Sequence, residues 1–255
     1  MYAAERRAEL ARRLTADGRV SVAEAAADLG VSGETIRRDL AALERHGAAR
    51  RVHGGAVART AVETVELDLA EREVRQAEQK QAIAQAALAQ LPGSGGSIAV
   101  DAGTTTGAFV DALPTDLSLL AVTHGVLTAA QLARVGSLDL HVVGGHVRGA
   151  TGAAVGASTV EGYREVGVDV AFVGTNGLSP ERGLTTPDFA EAAVKRAVVG
   201  AARRTVVLAD STKLDADHVV TFARLAEVDV LVTDAGAAPD DVNRLRSAGV
   251  EVLLA

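Results

Sequence analysis

Residues 17–57 read DGRVSVAEAAADLGVSGETIRRDLAALERHGAARRVHGGAV, and this stretch decides the first part of the fold. Ser21 and Glu24 form an S-x-x-E capping box that opens a helix over Val22–Leu29. Gly30 supplies the C-cap, because glycine takes a positive φ at little steric cost. Ser32 then N-caps a second helix, and Val31 can staple onto Ile36. On that helix Ile36, Leu40 and Leu43 share one stripe by their spacing. The opposite face collects Glu34, Arg38, Ala42 and Arg45, with Thr35 and Arg37 on its flanks. Two adjacent arginines turned away from a helix's own core suit a DNA major groove and its phosphates. After Gly47, two short extended runs about Gly54-Gly55 read as a basic hairpin, or wing, that would bring Arg50, Arg51 and His53 near phosphates. An ordinary solvated helix would carry similar charges, but not this turn, these caps and this hairpin together. His53 reads equally well as a surface histidine without a role.

Charge follows the same division. Residues 1–60 hold 11 Lys+Arg and 8 Asp+Glu, net +3, while the remainder holds 15 and 25, net −10. A basic head on an acidic chain fits DNA binding confined to the head. With no cysteine, disulfides and thiolate metal sites are excluded. No apolar run is long enough to span a bilayer and no charged-then-apolar leader opens the chain, so a cytoplasmic protein without a membrane partner is expected. Aromatic residues make up 2% of the chain, too little stacking surface for single-stranded RNA.

Outward from the head, an amphipathic helix over about Glu5–Ala16 is expected to pack Leu10 and Leu14 against the two helices just described. Residues 65–91 contain no Gly or Pro and read as one or two linking helices that stop at Pro92-Gly93-Ser94-Gly95-Gly96. Beyond them, apolar runs at Ser97–Asp101, Leu119–Thr123, Leu138–Val143, Val168–Val173, Arg204–Ala209, Val228–Thr233 and Val250–Leu254 alternate with helical stretches. The expectation is a largely parallel sheet with helices on both faces, hence an α/β fold. The expected domains are 1–58 for the DNA-binding head, 59–92 for a helical linker and 93–255 for the α/β domain.

In open α/β sheets, ligands bind beyond the carboxyl ends of the strands. The first such loop is Asp101-Ala102-Gly103-Thr104-Thr105-Thr106, where glycine permits close backbone approach, hydroxyls donate, and a helix N-terminus favours an anion. The same composition also occurs in plain turns. Thr123-His124-Gly125 ends the second strand and Gly144-Gly145-His146 the third, while His141 lies inside a strand and reads as structural. Gly174-Thr175-Asn176-Gly177 ends the fourth, and Gly183-Leu184-Thr185-Thr186 leads to a helix carrying Glu191 and Lys195. Spaced i, i+4, these two either pair with each other or face a ligand. Asp210-Ser211-Thr212-Lys213 ends the next strand and could bind a polyol and a phosphate or tie down its own loop. Asp234 reads as a turn cap.

VSGETIRRDLAALERHG followed by RRVHGGAV resembles the DNA-binding signature of the DeoR family of bacterial transcriptional regulators. DAGTTT, VGG, AFVGTNGLS, GLTT, EAAVKRA, VVLADSTK and LVTD follow in the order of that family's C-terminal sensor domain. The resemblance implies a winged helix–turn–helix with Ser32, Glu34, Thr35, Arg37, Arg38, Arg45, Arg50, Arg51 and His53 at DNA. It also implies a sensor of the ribose-5-phosphate isomerase/CoA-transferase-like type that takes a sugar phosphate, with fructose 1-phosphate as first candidate. The effector residues it implies are Asp101, Gly103, Thr104, Thr105, Thr106, Thr123, His124, Gly145, Asn176, Gly177, Glu191, Lys195, Asp210 and Lys213. Family members commonly carry asparagine where this chain has His124.

The expected function is a repressor of a sugar-catabolism operon, relieved by its ligand and acting on double-stranded operator DNA as a dimer or tetramer. No cofactor, catalytic residue or metal is expected. The rival is an aldose–ketose phosphate isomerase with an appended DNA-binding domain, in which Glu191 would be the base and Lys195 or Lys213 would stabilise an enediolate. Against it, the isomerases carry an acidic cluster where this chain has Gly174-Thr175-Asn176-Gly177. A nucleoid protein without sequence preference would leave the acidic domain unexplained.

Overall fold

In the computed structural model, residues 3–45, 49–52, 54–58 and 69–255 are described. The chain forms two compact units, Met1–Val62 and Glu63–Ala255.

The first unit contains α1 (Ala3–Asp17), β1 (Arg19–Ser21), α2 (Val22–Leu29), α3 (Gly33–Arg45), β2 (Ala49–Val52) and β3 (Gly55–Ala58). Ser21 caps α2 through its hydroxyl, which accepts from the Glu24 N–H, and Gly30 ends that helix at φ 63°. Ser32 Oγ accepts from the Thr35 N–H at 3.2 Å, starting α3. Leu10, Leu14, Ile36, Leu40 and Leu43 close a small core with Val20, Val22 and Ala56. The expected hairpin is present as antiparallel β2–β3, with Val52 opposite Gly55. Its outer neighbour β1 makes the sheet three-stranded, in the order β1-β3-β2.

One assignment on α3 is corrected. Ala42, expected on the outward face with Glu34 and Arg38, is 7% exposed and therefore buried. Asp39 is buried too, because its carboxylate takes the Arg6 guanidinium of α1 in an ion pair. The inward surface of α3 is thus wider than its leucine and isoleucine stripe, since a paired charge and an alanine carry no apolar signal in the sequence.

The second unit begins with α4 (Leu69–Val74) and α5 (Ala77–Ala87), the latter followed by a 3₁₀ turn over Leu88–Gln90. There follow β4 (Ser97–Val100), α6 (Thr104–Asp111), β5 (Leu120–Thr123), α7 (Val126–Leu132), β6 (Asp139–Val142), β7 (His146–Val147), β8 (Ala154–Val155), α8 (Ala157–Arg164) and β9 (Val168–Gly174). The chain ends with β10 (Gly177–Ser179), β11 (Gly183–Thr186), α9 (Phe189–Gly200), β12 (Ala202–Leu208), β13 (Val220–Ala223), β14 (Val230–Thr233), α10 (Pro239–Ser247) and β15 (Glu251–Leu254).

All seven expected apolar runs pair in one parallel sheet, ordered β15-β14-β12-β9-β4-β5-β6. Alternate residues feed two cores. Ile98, Val100, Val170 and Phe172 face α5 and α6 residues such as Ile83 and Phe109, while Ala99, Ala171 and Val173 face Val194 and Val198 of α9. Burial on both faces explains why these strands are continuously apolar rather than alternating. From β4 the chain moves outward through β5 and β6, then returns to β9 on the other side of β4. The topological switch point, where such sheets bind ligands, therefore lies between the carboxyl ends of β4 and β9.

Two features depart from expectation. Residues 77–87 were expected within a linker, yet Ile83, Ala84 and Ala87 of α5 are buried in the core on the β12, β14 and β15 side of the sheet. The alanines of that stripe are indistinguishable in sequence from the chain's general alanine excess. An unforeseen antiparallel sheet, β10-β11-β13, also forms beside the main one, and it includes the Gly183–Thr186 stretch, which leads into α9 as expected.

Removing Asp39 leaves the Arg6 cation buried without its partner, and such losses cost about 3 kcal/mol. Asp39→Ala should therefore lower the urea stability of the first unit by about that amount. The double change Arg6→Met/Asp39→Leu should recover most of it, and an unchanged melt for Asp39→Ala would contradict this reading.

Candidate functional site

In the first unit the outward surface of α3 is polar. Ser32, Glu34, Arg37 and Arg38 are exposed and Thr35 is half-buried. Ser32 and Thr35 are occupied in the helix cap, their hydroxyls 2.9 Å apart, and Glu34 lies 3.4 Å from the Arg37 guanidinium. Arg37 and Arg38 thus present cationic groups at the start of a helix whose opposite side is packed. The backbones of Arg45, Arg50 and Arg51 lie in α3 and β2, but their side chains, like the whole of His53, fall outside the described residues.

In the second unit a small, partly open cleft lies at the switch point. Its wall includes Gly103, Thr104, Thr105 and Thr106 from the loop after β4, and Gly174, Thr175 and Asn176 from the loop after β9. Glu191 and Lys195 come from α9, and Asp210 and Lys213 from the loop after β12. Nine of the fourteen residues expected at the effector therefore meet in one wall. Three more were not foreseen there: Arg72 of α4, Arg75 after it, and Lys80 of α5.

Beneath the cleft sits a buried polar lattice. Asp101, fully buried at the end of β4, accepts through Oδ2 from the Lys195 ammonium and from the Gly174 N–H. Lys195 also donates to the Gly174 carbonyl at 3.0 Å. On the other side His124 Nε2 lies 3.4 Å from Asp101 Oδ1, close but without hydrogen-bond alignment. Its Nδ1 is 3.0 Å from the Tyr163 hydroxyl. Burial pushes the imidazole below the usual histidine range; Asp101 opposes that shift and Lys195 adds to it. Burial likewise pushes the Tyr163 hydroxyl up.

Glu191 and Lys195 do not pair with each other. Glu191 accepts from Arg148 and from the Thr151 hydroxyl, while Lys195 turns to Asp101. Arg148 also lies 3.3 Å from Asp188, the residue whose carboxylate caps α9. The loop after β7 is thereby held against the start of α9.

Five expected effector residues are not in the cleft wall. Asp101 and His124 lie under it. Thr123 is buried and donates to the Val100 carbonyl, tying β5 to β4. Gly145 and Gly177 serve close packing instead. A Cβ on Gly145 would fall 2.0 Å from Thr159 Oγ1, and one on Gly177 would fall 2.2 Å from the Ala216 carbonyl oxygen. His141, expected to be structural inside its strand, is exposed on the edge strand β6. Asp234 caps the turn at Gly236, as expected, and also accepts from Ser211, joining two loops. The cations of α4 and α5 could have been suspected only from their charge, since neither helix bears a motif.

A winged helix–turn–helix unit followed in the same chain by a parallel α/β unit with a polar cleft at its switch point is the architecture of a DNA-binding transcription regulator with a sensor domain. Residues 6–62 match the DeoR-like helix-turn-helix domain and residues 75–235 the DeoR C terminal sensor domain. The chain belongs to the DeoR family of transcriptional regulators.

It is 38% identical over 254 residues to the HTH-type transcriptional regulator GlpR of Haloferax volcanii, covering 99% of this chain and 98% of that one. To the glycerol-3-phosphate regulon repressor of Haemophilus influenzae it is 32% identical over 238 residues, covering 93% and 91%. Among solved structures, ribose 5-phosphate isomerase A from Neisseria gonorrhoeae aligns at a TM-score of 0.40 with 20% identity, over 54% of this chain and 53% of that one. The fold class rests on the strand order above rather than on that likeness.

The buried histidine makes stability depend on pH. An unfolded histidine titrates near about 6.5, and the folded one lower. Between the two values only the unfolded chain binds the proton, so stability is full above about pH 7 and falls as pH drops below about 6.5. Urea midpoints measured from neutral to mildly acid pH should show that fall, and His124→Asn should flatten it. Equal slopes in both proteins would assign the effect elsewhere.

Replacing Lys195 by methionine leaves Asp101 buried beside a hydrogen-bonded N–H but without a cation, and should cost about 3 kcal/mol in the same assay. The double variant Lys195→Met/Asp101→Asn should recover part of the loss.

Proposed function

We propose that this DeoR-family regulator represses an operon for the catabolism of a sugar or polyol and leaves its operator when a phosphorylated form of that compound fills the cleft. The observation that carries this reading is the charge of the cleft wall. Five cations, Arg72, Arg75, Lys80, Lys195 and Lys213, stand against two carboxylates, Glu191 and Asp210. They do so in a chain whose residues 61–255 are acidic overall. An anionic ligand with hydroxyl groups suits such a wall, since phosphate favours charge-assisted donors and a polyol can bridge Glu191, Asn176 and the threonines. The repressor of the glycerol-3-phosphate regulon among the relatives supports the same class of ligand, and fructose 1-phosphate remains the first candidate sugar.

Arg37 and Arg38 on α3, with Arg50, Arg51 and His53 of the wing, are the groups assigned to operator DNA. The protein acts in the cytoplasm as a dimer or tetramer, because one helix–turn–helix reads too few bases for useful specificity. The ligand shifts a population between DNA-competent and DNA-incompetent arrangements through its differential affinity for them. Isomerase chemistry is disfavoured by the state of its obvious candidate base: Glu191 is engaged by Arg148 and Thr151.

The test is fluorescence anisotropy of the full chain on labelled DNA from upstream of its own gene, at fixed salt because salt alone moves such affinities by orders of magnitude. Fructose 1-phosphate, glycerol 3-phosphate and their unphosphorylated parents are titrated in. A phosphorylated compound is expected to release the DNA where its parent does not. Arg38→Ala should weaken operator binding about tenfold or more while leaving ligand binding intact. DNA binding that no phosphorylated compound alters would refute the proposed effector class.

A further inference from the structure

The seven-stranded sheet has two edges, β15 and β6, and the chain treats them differently. At β15 the N–H groups of Glu251 and Ala255 bond inward to Asp229 and Thr233, so the alternation of the strand turns Val252 outward. There the Arg246 guanidinium donates to the Val252 carbonyl at 2.9 Å, which covers that edge. At β6 the N–H groups of Asp139 and Val143 bond inward to Leu119 and Thr123, so Leu140 and Val142 turn their backbone groups outward. Among the described residues, nothing bonds to those outward groups. Nor does β6 carry the usual protections of an edge, since no proline, lysine or bulge interrupts Asp139–Val142. Apolar surface gathers at the same end of the sheet. Of the ten large apolar side chains exposed among the described residues, five lie between residues 120 and 147: Leu120, Val126, Leu127, Val142 and Val147. Val142 itself is 50% exposed.

Resting on the oligomer reading above, we propose that β6 is the edge at which two copies of this chain join. The two β6 strands run antiparallel about a twofold axis at Leu140, and two seven-stranded sheets become one. A twofold axis through a sheet edge makes the contact antiparallel and self-complementary, so each exposed group of β6 must find its match within β6 and its flanks.

The register follows from the side chains. With Leu140 on the axis, the two Leu140 residues exchange both backbone bonds, and Val142 stands opposite the partner's Leu138. Leu138 and Leu140 are partly buried against the core on the α6 face of the sheet, so this face of the seam is apolar and continues that core. On the other face Asp139 stands opposite the partner's His141, twice over by symmetry. Both side chains are exposed in the single chain. As a pair not joined by backbone bonds they face each other with Cα atoms about 4.5 Å apart, close enough for the carboxylate to accept from the imidazole N–H. A register one residue on, with His141 on the axis, would set two imidazoles face to face and place Asp139 against the apolar Val143 of the second copy. The match of acid to imidazole on one face and of apolar to apolar on the other selects a second copy of this chain as the occupant of the edge.

The experiment is sedimentation velocity of the full chain over a concentration series. It compares wild type with Val142→Lys, with His141→Asp and with the exchange Asp139→His/His141→Asp. All three positions are exposed, and circular dichroism confirms that each variant keeps its fold. His141→Asp sets two carboxylates face to face at both symmetric positions, and Val142→Lys puts a charge on the apolar face of the seam. Each should raise the dissociation constant of this contact about tenfold or more, giving a species of half the wild-type mass. The exchange rebuilds the acid–imidazole match with its members swapped and should return association to the wild-type level. Should both weakened variants associate as wild type does, the contact lies elsewhere although the oligomer stands. Should the exchange fail to restore what His141→Asp removes, the pairing about Leu140 is refuted. A wild type that stays monomeric throughout, with and without operator DNA, removes the oligomer reading and this contact with it.

Discussion

The pair formed by Asp101 and Lys195 is the point on which the rest of the sensor unit depends. Asp101 ends β4, Gly174 ends β9 and Lys195 projects from α9, and one carboxylate oxygen with one ammonium joins all three. A buried ion pair contributes little net stability, because desolvating two charges offsets most of their attraction. Its value is geometric. The three elements that define the switch point cannot shift independently without exposing a buried charge, so the loops bearing Thr104–Thr106 and Gly174–Asn176 are held in one arrangement. His124 and Tyr163 extend the same lattice toward β5 and α8.

Above that floor the cleft wall carries both signs of charge, with more cations than carboxylates. Glu191 is matched by Arg148 and Lys195 by Asp101, so their end is polar and electrically quiet. Arg72 and Arg75, at and just after the end of α4, and Lys80 of α5 add three cations to the wall. Glu191, the carboxylate that an isomerase reading would use as base, is tied to an arginine and a threonine.

The same economy appears in the DNA-binding unit. Asp39 and Arg6 lock α1 to α3 from within, Ser21, Gly30 and Ser32 set the angle between α2 and α3 through their caps, and Arg37 and Arg38 remain free of packing duty. Caps and turns act over three or four residues, so this unit was almost wholly legible in its sequence. Ala42 was the exception, because an alanine on a helix flank gives no sign of which neighbour will cover it.

What the sequence by itself determined is local or periodic. It specified the helix–turn–helix with its caps, the hairpin beside it, and all seven parallel strands, because each of these is written in nearest-neighbour backbone chemistry or in a run of apolar residues. It also placed seven cleft residues, since strand-end loops of a parallel sheet converge whatever the details, whereas Glu191 and Lys195 on α9 were placed by the family resemblance. Tertiary structure alone decided the partners. Glu191 and Lys195 stand one helical turn apart, where they could pair with each other, yet Arg148 lies 43 residues from the first and Asp101 lies 94 from the second. Likewise Gly145 and Gly177 were drawn toward the ligand by their motifs, but the space each leaves is filled by a neighbouring side chain or carbonyl. Arg72, Arg75 and Lys80 enter the cleft only because α5 buries an alanine-rich stripe and Lys80 donates to the Arg72 and Arg75 carbonyls. Charge compensation and close packing act between residues far apart in the chain, so they become visible only once the fold has brought those residues together.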